Sequence, residues 1–173
     1  MKTILVTGTP GTGKTRLCVR LLEQLSTLGK SVQIIHVSDL IKEEKLYDEY
    51  DPGLDTYLID DRKVCKHLEN TIRGMMNQDV LVIETHTVTT IPRRLPERVA
   101  VLTARTDVLY DRLVARGYKG EKLDENMECE IMRIIFEEAV GRFGEGRVLE
   151  LPSNTEEDIE DNLEAILEEL STL

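Results

Sequence analysis

Gly8-Thr9-Pro10-Gly11-Thr12-Gly13-Lys14-Thr15 follows the apolar run Ile4-Leu5-Val6 and precedes a stretch in which Leu17, Cys18, Leu21, Leu22, Leu25 and Leu28 recur at helical spacing. The stretch fits G-x-x-x-x-G-K-[ST] in full. A β-branched run halted by glycine reads as a buried strand, and Gly29 stands where a left-handed cap closes the following helix. Strand, glycine-rich loop and helix in that order make a phosphate cradle. The glycines let successive N–H groups turn inward, and the helix start adds unpaired N–H groups with partial positive charge. Lys14 carries a mobile full charge to the β- and γ-phosphates, and the Thr15 hydroxyl can ligate Mg²⁺. A dinucleotide-binding G-x-G-x-x-G reading is weaker, because Arg16 occupies the third glycine position.

Outward from this loop, strands and helices alternate. Val32 to Ile35 reads as a second strand, with Ser38 or Asp39 capping a short helix to about Leu46. Residues 47–57 are polar, contain Pro52 and Gly53 and hold no period, which predicts a loop or mobile flap. Asp60 opens a helical stretch through Val64, Leu68 and Ile72 towards Met76. Val80 to Ile83 and Val99 to Leu102 are continuous apolar runs of the kind found in parallel sheets covered on both faces. After Thr106, a candidate N-cap, a helix is expected over 108–116, ending at Gly117. The segment 116–126 is again charged and aperiodic. A helix over about 128–143, a strand at Val148 to Leu151 and a final helix from about Glu156 complete the order. The pattern is that of an α/β fold with helices on both faces of a mostly parallel sheet, interrupted by two lid-like segments.

Charges near the expected phosphate site suggest chemistry. Glu84 closes the third strand, where such proteins hold the water shell of Mg²⁺ or orient a nucleophile, though it is one methylene longer than the more usual Asp. His86 follows just beyond, an imidazole able to switch charge near phosphates. Arg116, between a helix and the second aperiodic segment, is the best candidate for a cation that follows the migrating charge. Arg105 and Arg112 either contribute similarly or face water and pair with Asp107 or Asp111. Arg93 and Arg94 lie in a Pro-bounded loop that could approach an acceptor phosphate. Between His36 and Ile59 the cations are Lys42 and Lys45, with no Arg.

The 173 residues, 40% of them hydrophobic, suit one compact domain. A formal net charge of −11 argues against a sequence-independent grip on nucleic acid and suits a basic protein partner. Residues 155–173 hold eight acidic residues and no Lys or Arg. Cys18, Cys65 and Cys129 lie far apart, which suggests neither zinc nor a disulfide framework and points to a reducing compartment, cytoplasm or nucleus. No apolar stretch approaches membrane-spanning length. No Asn-Lys-x-Asp sequence for reading guanine is present.

In Gly8 to Thr15, Val37-Ser38-Asp39-Leu40-Ile41-Lys42-Glu43-Glu44-Lys45-Leu46-Tyr47-Asp48, Val108 to Leu113 with Arg116-Gly117-Tyr118, Glu128-Cys129-Glu130-Ile131 and Leu151-Pro152-Ser153-Asn154, the chain resembles the adenylate kinase isoenzyme 6 family, small nucleoside kinases of the Fap7/CINAP type. The likeness runs nearly the whole length. It implies a three-layer P-loop NTPase fold of the adenylate kinase type over residues 1–173, with parallel strand order 2-3-1-4-5. Residues 36–59 would form the monophosphate-binding part and 115–125 the lid. ATP would meet Gly11, Thr12, Gly13, Lys14, Thr15, Arg16 and Arg116, with Ser153 and Asn154 near the adenine. AMP or another monophosphate would meet Ser38, Asp39, Lys42, His86 and Arg93, Mg²⁺ would meet Thr15 and Glu84, and Lys14, Glu84, His86 and Arg116 would carry catalysis. Such proteins pair adenylate kinase and ATPase activities, in nucleus or cytoplasm, and assist small ribosomal subunit maturation on pre-40S particles through the ribosomal protein uS11. An ATP-driven assembly factor with little kinase role is the alternative, and a kinase acting on a sugar or an acid shares the same architecture.

Overall fold

The structure, a computed structural model, describes residues 1–52, 56–75 and 77–172. In chain order the elements are β1 (Lys2–Thr7), α1 (Lys14–Thr27), β2 (Val32–His36), α2 (Val37–Glu43), β3 (Tyr47–Asp51), β4 (Thr56–Ile59), α3 (Asp61–Arg73) and β5 (Val80–Glu84). They continue with β6 (Arg98–Thr103), α4 (Thr106–Ala115), α5 (Glu121–Ile131), α6 (Ile134–Phe143), β7 (Val148–Pro152) and α7 (Glu156–Thr172).

Five strands form one parallel sheet in the order β2-β5-β1-β6-β7. With the separate β3–β4 pair set aside, this is the expected 2-3-1-4-5. Alternation along each strand sends side chains to opposite layers. Ile4, Val6, Val80, Val82, Ala100 and Leu102 pack with Leu17, Leu21 and Leu25 of α1 and Ile159, Leu163 and Ile166 of α7. Leu5, Leu81, Ile83, Val99 and Val101 face the other way, onto Ile41 of α2, Val64, Leu68 and Ile72 of α3, and Ala139 and Phe143 of α6. Both faces are covered, which is why these strands read as unbroken apolar runs. The carboxyl ends of β1, β2 and β5 open onto one edge, and the candidate site lies there.

Several expected elements differ. The loop or flap over 47–57 contains the antiparallel hairpin β3–β4, with residues 53–55 outside the described residues. Its strands show little burial, so no apolar alternation marks them; rings hold them instead, with Tyr57 4.5 Å from Tyr47 and 5.1 Å from Tyr50 between centroids. The end of the helix towards Met76 also lies outside the described residues, and α3 runs to Arg73. Neither Ser38 nor Asp39 caps α2: the helix starts at Val37, with His36 in the capping position and no side-chain cap bond. Likewise Thr106 is already helical and Arg105 precedes it.

Residues 116–126 are not an aperiodic loop. Gly117 at φ 83° and Gly120 at φ 55° both take positive φ in a short turn, after which α5 begins at Glu121. Leu123 packs there with Leu109 and Leu113, a three-residue apolar patch too small to show as a period. The single helix expected over 128–143 is two. Arg133, at φ 55°, breaks it, its guanidinium 4.5 Å from the Phe136 ring centroid and donating to Glu150 at 2.7 Å. Among the described residues no helix is long and apolar enough to cross a membrane.

Candidate active site

The loop after β1 is shaped by close approach. A Cβ on Gly8 would lie 2.3 Å from the Leu102 carbonyl oxygen, and φ at Gly8 is 141°. Gly13, at φ 94°, turns the chain into α1. Thr12 is buried, and both its hydroxyl and its N–H donate to the Thr9 carbonyl, at 2.8 and 3.2 Å. Its side chain thus braces the loop and is outside the cleft lining. Gly11, Gly13, Lys14, Thr15 and Arg16 do line it.

Lys14 is buried, and its ammonium donates to the carbonyls of Gly8 at 2.7 Å and Thr9 at 3.0 Å. Loss of water lowers its pKa to about 8, Arg116 pushes the same way, and Glu84 opposes. Such a charge is poorly compensated by its neighbours and suited to a ligand with several anionic oxygens. The Thr15 hydroxyl donates to Glu84 Oε1 at 2.6 Å, and His36 Nδ1 lies 2.5 Å from Glu84 Oε2. His86 is solvent-reached at the mouth of the cleft, yet protein crowds its ring enough to lower its pKa, with Lys14 adding to that effect and Glu84 countering it. That crowding favours the neutral form of the imidazole. Ser38 Oγ lies 3.4 Å from His86 Nδ1.

These groups share a cleft of about 1040 Å³. Its lining comes from the loop with Arg112, Arg116 and Ser153, from Ser38, Asp39 and Lys42 of α2, from Tyr50, Tyr57 and Ile59 of the β3–β4 hairpin, and from Glu84 and His86 at and just beyond the end of β5. Arg116, at the end of α4, is exposed into this space. Arg112 is not a surface group paired with Asp107 or Asp111. It donates to the carbonyls of Ser153 at 2.7 Å and Asn154 at 3.0 Å, clamping the β7–α7 junction beside the loop. Arg105 does pair with Asp107, at 2.7 Å.

Two expected contacts fall elsewhere. Arg93 is exposed and outside the cleft lining, because Val88, Ile91 and Pro92 are buried and pull their loop onto the core, where the Ile91 carbonyl accepts from Arg142 at 2.6 Å. Asn154 is likewise outside the lining, its side-chain oxygen accepting from the Arg105 N–H at 2.7 Å. Arg16 lines the cleft but is held by Glu156 of α7.

Glu130 was not among the candidates. From α5 it accepts from the Thr9 hydroxyl at 2.5 Å and from the Ala104 N–H at 2.6 Å, tying this helix to the phosphate loop. Its only signal in the sequence is its place in Glu128-Cys129-Glu130-Ile131. His36 was also missed, for a histidine ending an apolar strand carries no pattern of its own.

Hydroxyl and carboxylate oxygens at Thr15 and Glu84 are hard donors that suit Mg²⁺. No cluster of three or more His, Cys, Asp or Glu able to cage a metal occurs among the described residues. A cation here would take further ligands from phosphate and water, the usual habit of Mg²⁺.

Fold and loop together define a nucleotide-binding protein of the P-loop class with a kinase-like sheet. The family described as AAA domain matches residues 4–133. The adenylate kinase isoenzyme 6 homolog of Caenorhabditis elegans is 37% identical over 95% of this chain and 87% of its own length. The homolog FAP7 of Saccharomyces cerevisiae is 35% identical over 95% and 79% respectively. For the homolog HBR1 of Candida albicans the identity is 36% over 94% of this chain, which spans 66% of that protein. A crystal structure of shikimate kinase from Bacteroides thetaiotaomicron superposes with a TM-score of 0.59 at 16% identity, covering 98% of each chain, a likeness of fold alone. The chain belongs to the adenylate kinase isoenzyme 6 family.

Proposed function

We propose that the protein is an ATP-dependent nucleoside monophosphate kinase that converts ATP and AMP into two ADP. One observation carries this reading: the cleft that holds the phosphate loop, about 1040 Å³, is also lined by Ser38, Asp39, Lys42, Tyr50 and Tyr57 of α2 and the β3–β4 hairpin, room that hydrolysis alone does not need. In the reaction an oxygen of the acceptor phosphate attacks the γ-phosphorus, and the bond to the β–γ bridging oxygen breaks. Lys14 and the loop amides hold the donor's β- and γ-oxygens, and Arg116 meets charge spreading over the transferred group. His86, just beyond the end of β5, donates a hydrogen bond to the acceptor phosphate and orients it. Thr15 and Glu84 would hold Mg²⁺, which neutralises charge on the phosphates. Residues 1–173 act as one unit, with 36–59 as the acceptor part and 115–125, the turn after α4 with the start of α5, as the lid.

Names of the relatives and the kinase-like sheet support the phosphotransfer class. The test is a coupled assay of ADP production. ATP with AMP should outrun ATP alone by at least about a hundredfold; no increase with AMP would remove the transferase reading.

The acidic exterior favours a second role. Eight acidic residues in 155–173, most of them solvent-facing on α7, suit a basic protein tail. In this reading ATP hydrolysis drives assembly of a small-subunit ribosomal protein such as uS11. Binding of a basic tail peptide at low salt, with faster hydrolysis, would support it; no binding would exclude it.

A further inference from the structure

β2 and β5 run in parallel register with His36 opposite Glu84. From that position His36 Nδ1 donates to Glu84 Oε2 at 2.5 Å, while the Thr15 hydroxyl donates to Oε1 at 2.6 Å. Each carboxylate oxygen has its own fixed partner. The Glu84 side chain is 11% exposed, and that of His36 37%. Glutamate has three side-chain torsions, and fixing them has an entropic cost that two opposed donors can offset. A carboxylate left with the Thr15 contact alone would rotate about it.

His36 is itself held where β2 passes directly into α2. Two residues on, Ser38 Oγ lies 3.4 Å from His86 Nδ1, so the same strand-to-helix junction meets the end of β5 twice. We propose that His36 is a positioning residue: it fixes the plane of the Glu84 carboxylate so that Oε1 stays beside Thr15 for the cation's shell, and so joins the acceptor-side helix α2 to the metal-binding edge. Metal sites commonly depend on such outer partners, whose loss costs about 10–100-fold in affinity. The inference rests on the proposed role of Glu84.

The test is a Mg²⁺ titration of the binding of a non-hydrolysable ATP analogue, read by calorimetry on the full chain. His36→Leu, which keeps bulk but has no donor, should raise the Mg²⁺ concentration at half-saturation about tenfold and leave metal-free analogue binding within about twofold. His36→Asn, whose side-chain amide nitrogen stands one bond beyond Cγ as Nδ1 does and can still donate to Oε2, should return it to within about threefold of the parent. In turnover, His36→Leu should lower kcat while leaving the KM for the acceptor within about twofold. A purely structural role would lower the melting midpoint without moving the Mg²⁺ requirement. Unchanged half-saturation in His36→Leu alongside a raised value in Glu84→Gln overturns the inference and leaves the site reading standing. Unchanged values in both overturn the inference together with the metal role of Glu84. Should His36→Leu fail to fold, His36→Asn decides alone: a Mg²⁺ requirement more than about tenfold above the parent overturns the proposal, and one within about threefold supports it.

Discussion

The Thr9 hydroxyl of the phosphate loop donates to Glu130 of α5 at 2.5 Å, joining the nucleotide cradle to the helix that follows the Gly117–Gly120 turn. The same carboxylate accepts from the Ala104 N–H at the end of β6. Glu130→Ala removes two charge-assisted bonds and leaves the Ala104 N–H without this acceptor. Loss of about 2–4 kcal/mol is expected, together with weaker ATP-analogue binding. Urea unfolding and calorimetry check this, and a variant as stable as the parent would show that the tie is dispensable.

Lys14 gives a pH prediction. Free protein begins to lose this proton as pH rises through about 8, because burial disfavours the ammonium. Bound phosphates favour the charged form, so binding must restore the missing proton. Uptake should be near zero at pH 6.5 for this group, about half a proton at pH 8 and larger above it. Calorimetry in buffers of different ionisation heat reads this number directly. Uptake that does not grow between pH 7 and pH 9 would contradict the lowered pKa.

His86 separates chemistry from donor binding. Crowding lowers the pKa of its ring, and Nδ1 lies 3.4 Å from Ser38 Oγ. His86→Gly should reduce kcat by about a hundredfold with ATP-analogue affinity within about threefold. Unchanged turnover would take His86 out of the mechanism.

Gly8 tests the cradle's shape. A methyl group at this position meets the Leu102 carbonyl oxygen at 2.3 Å, and backbone cannot move aside as a side chain would. Gly8→Ala should cost about 3 kcal/mol or more and lower the melting midpoint by about 6–12 °C. A normal midpoint would mean that the loop has another conformation available.

What could be read from the sequence, and what could not, divides along physical lines. The loop and the sheet were legible because burial on both faces leaves continuous apolar runs, and because a phosphate cradle needs glycine and lysine at fixed spacing. Lys14, Thr15, Glu84, His86 and Arg116 meet in one cleft since the carboxyl ends of parallel strands converge there. The β3–β4 hairpin left no trace because neither face is deeply buried, and three tyrosines substitute for a core. Helix α5 was masked by its charge, and the break at Arg133 by a residue that rarely adopts positive φ. Arg112, Glu130 and His36 act through contacts 101, 121 and 48 residues away in sequence, which no local pattern encodes. Arg93 looked well placed only because the burial of Ile91 and Pro92, which draws its loop aside, depends on α6.

The fate of a labelled γ-phosphate tests the central claim most directly. ATP carrying label on its γ-phosphorus is incubated with the protein, Mg²⁺ and AMP, and the products are separated. The account predicts label in the β-position of newly formed ADP, with little in inorganic phosphate. Label released mainly as inorganic phosphate, in the same amount with or without AMP, would contradict it.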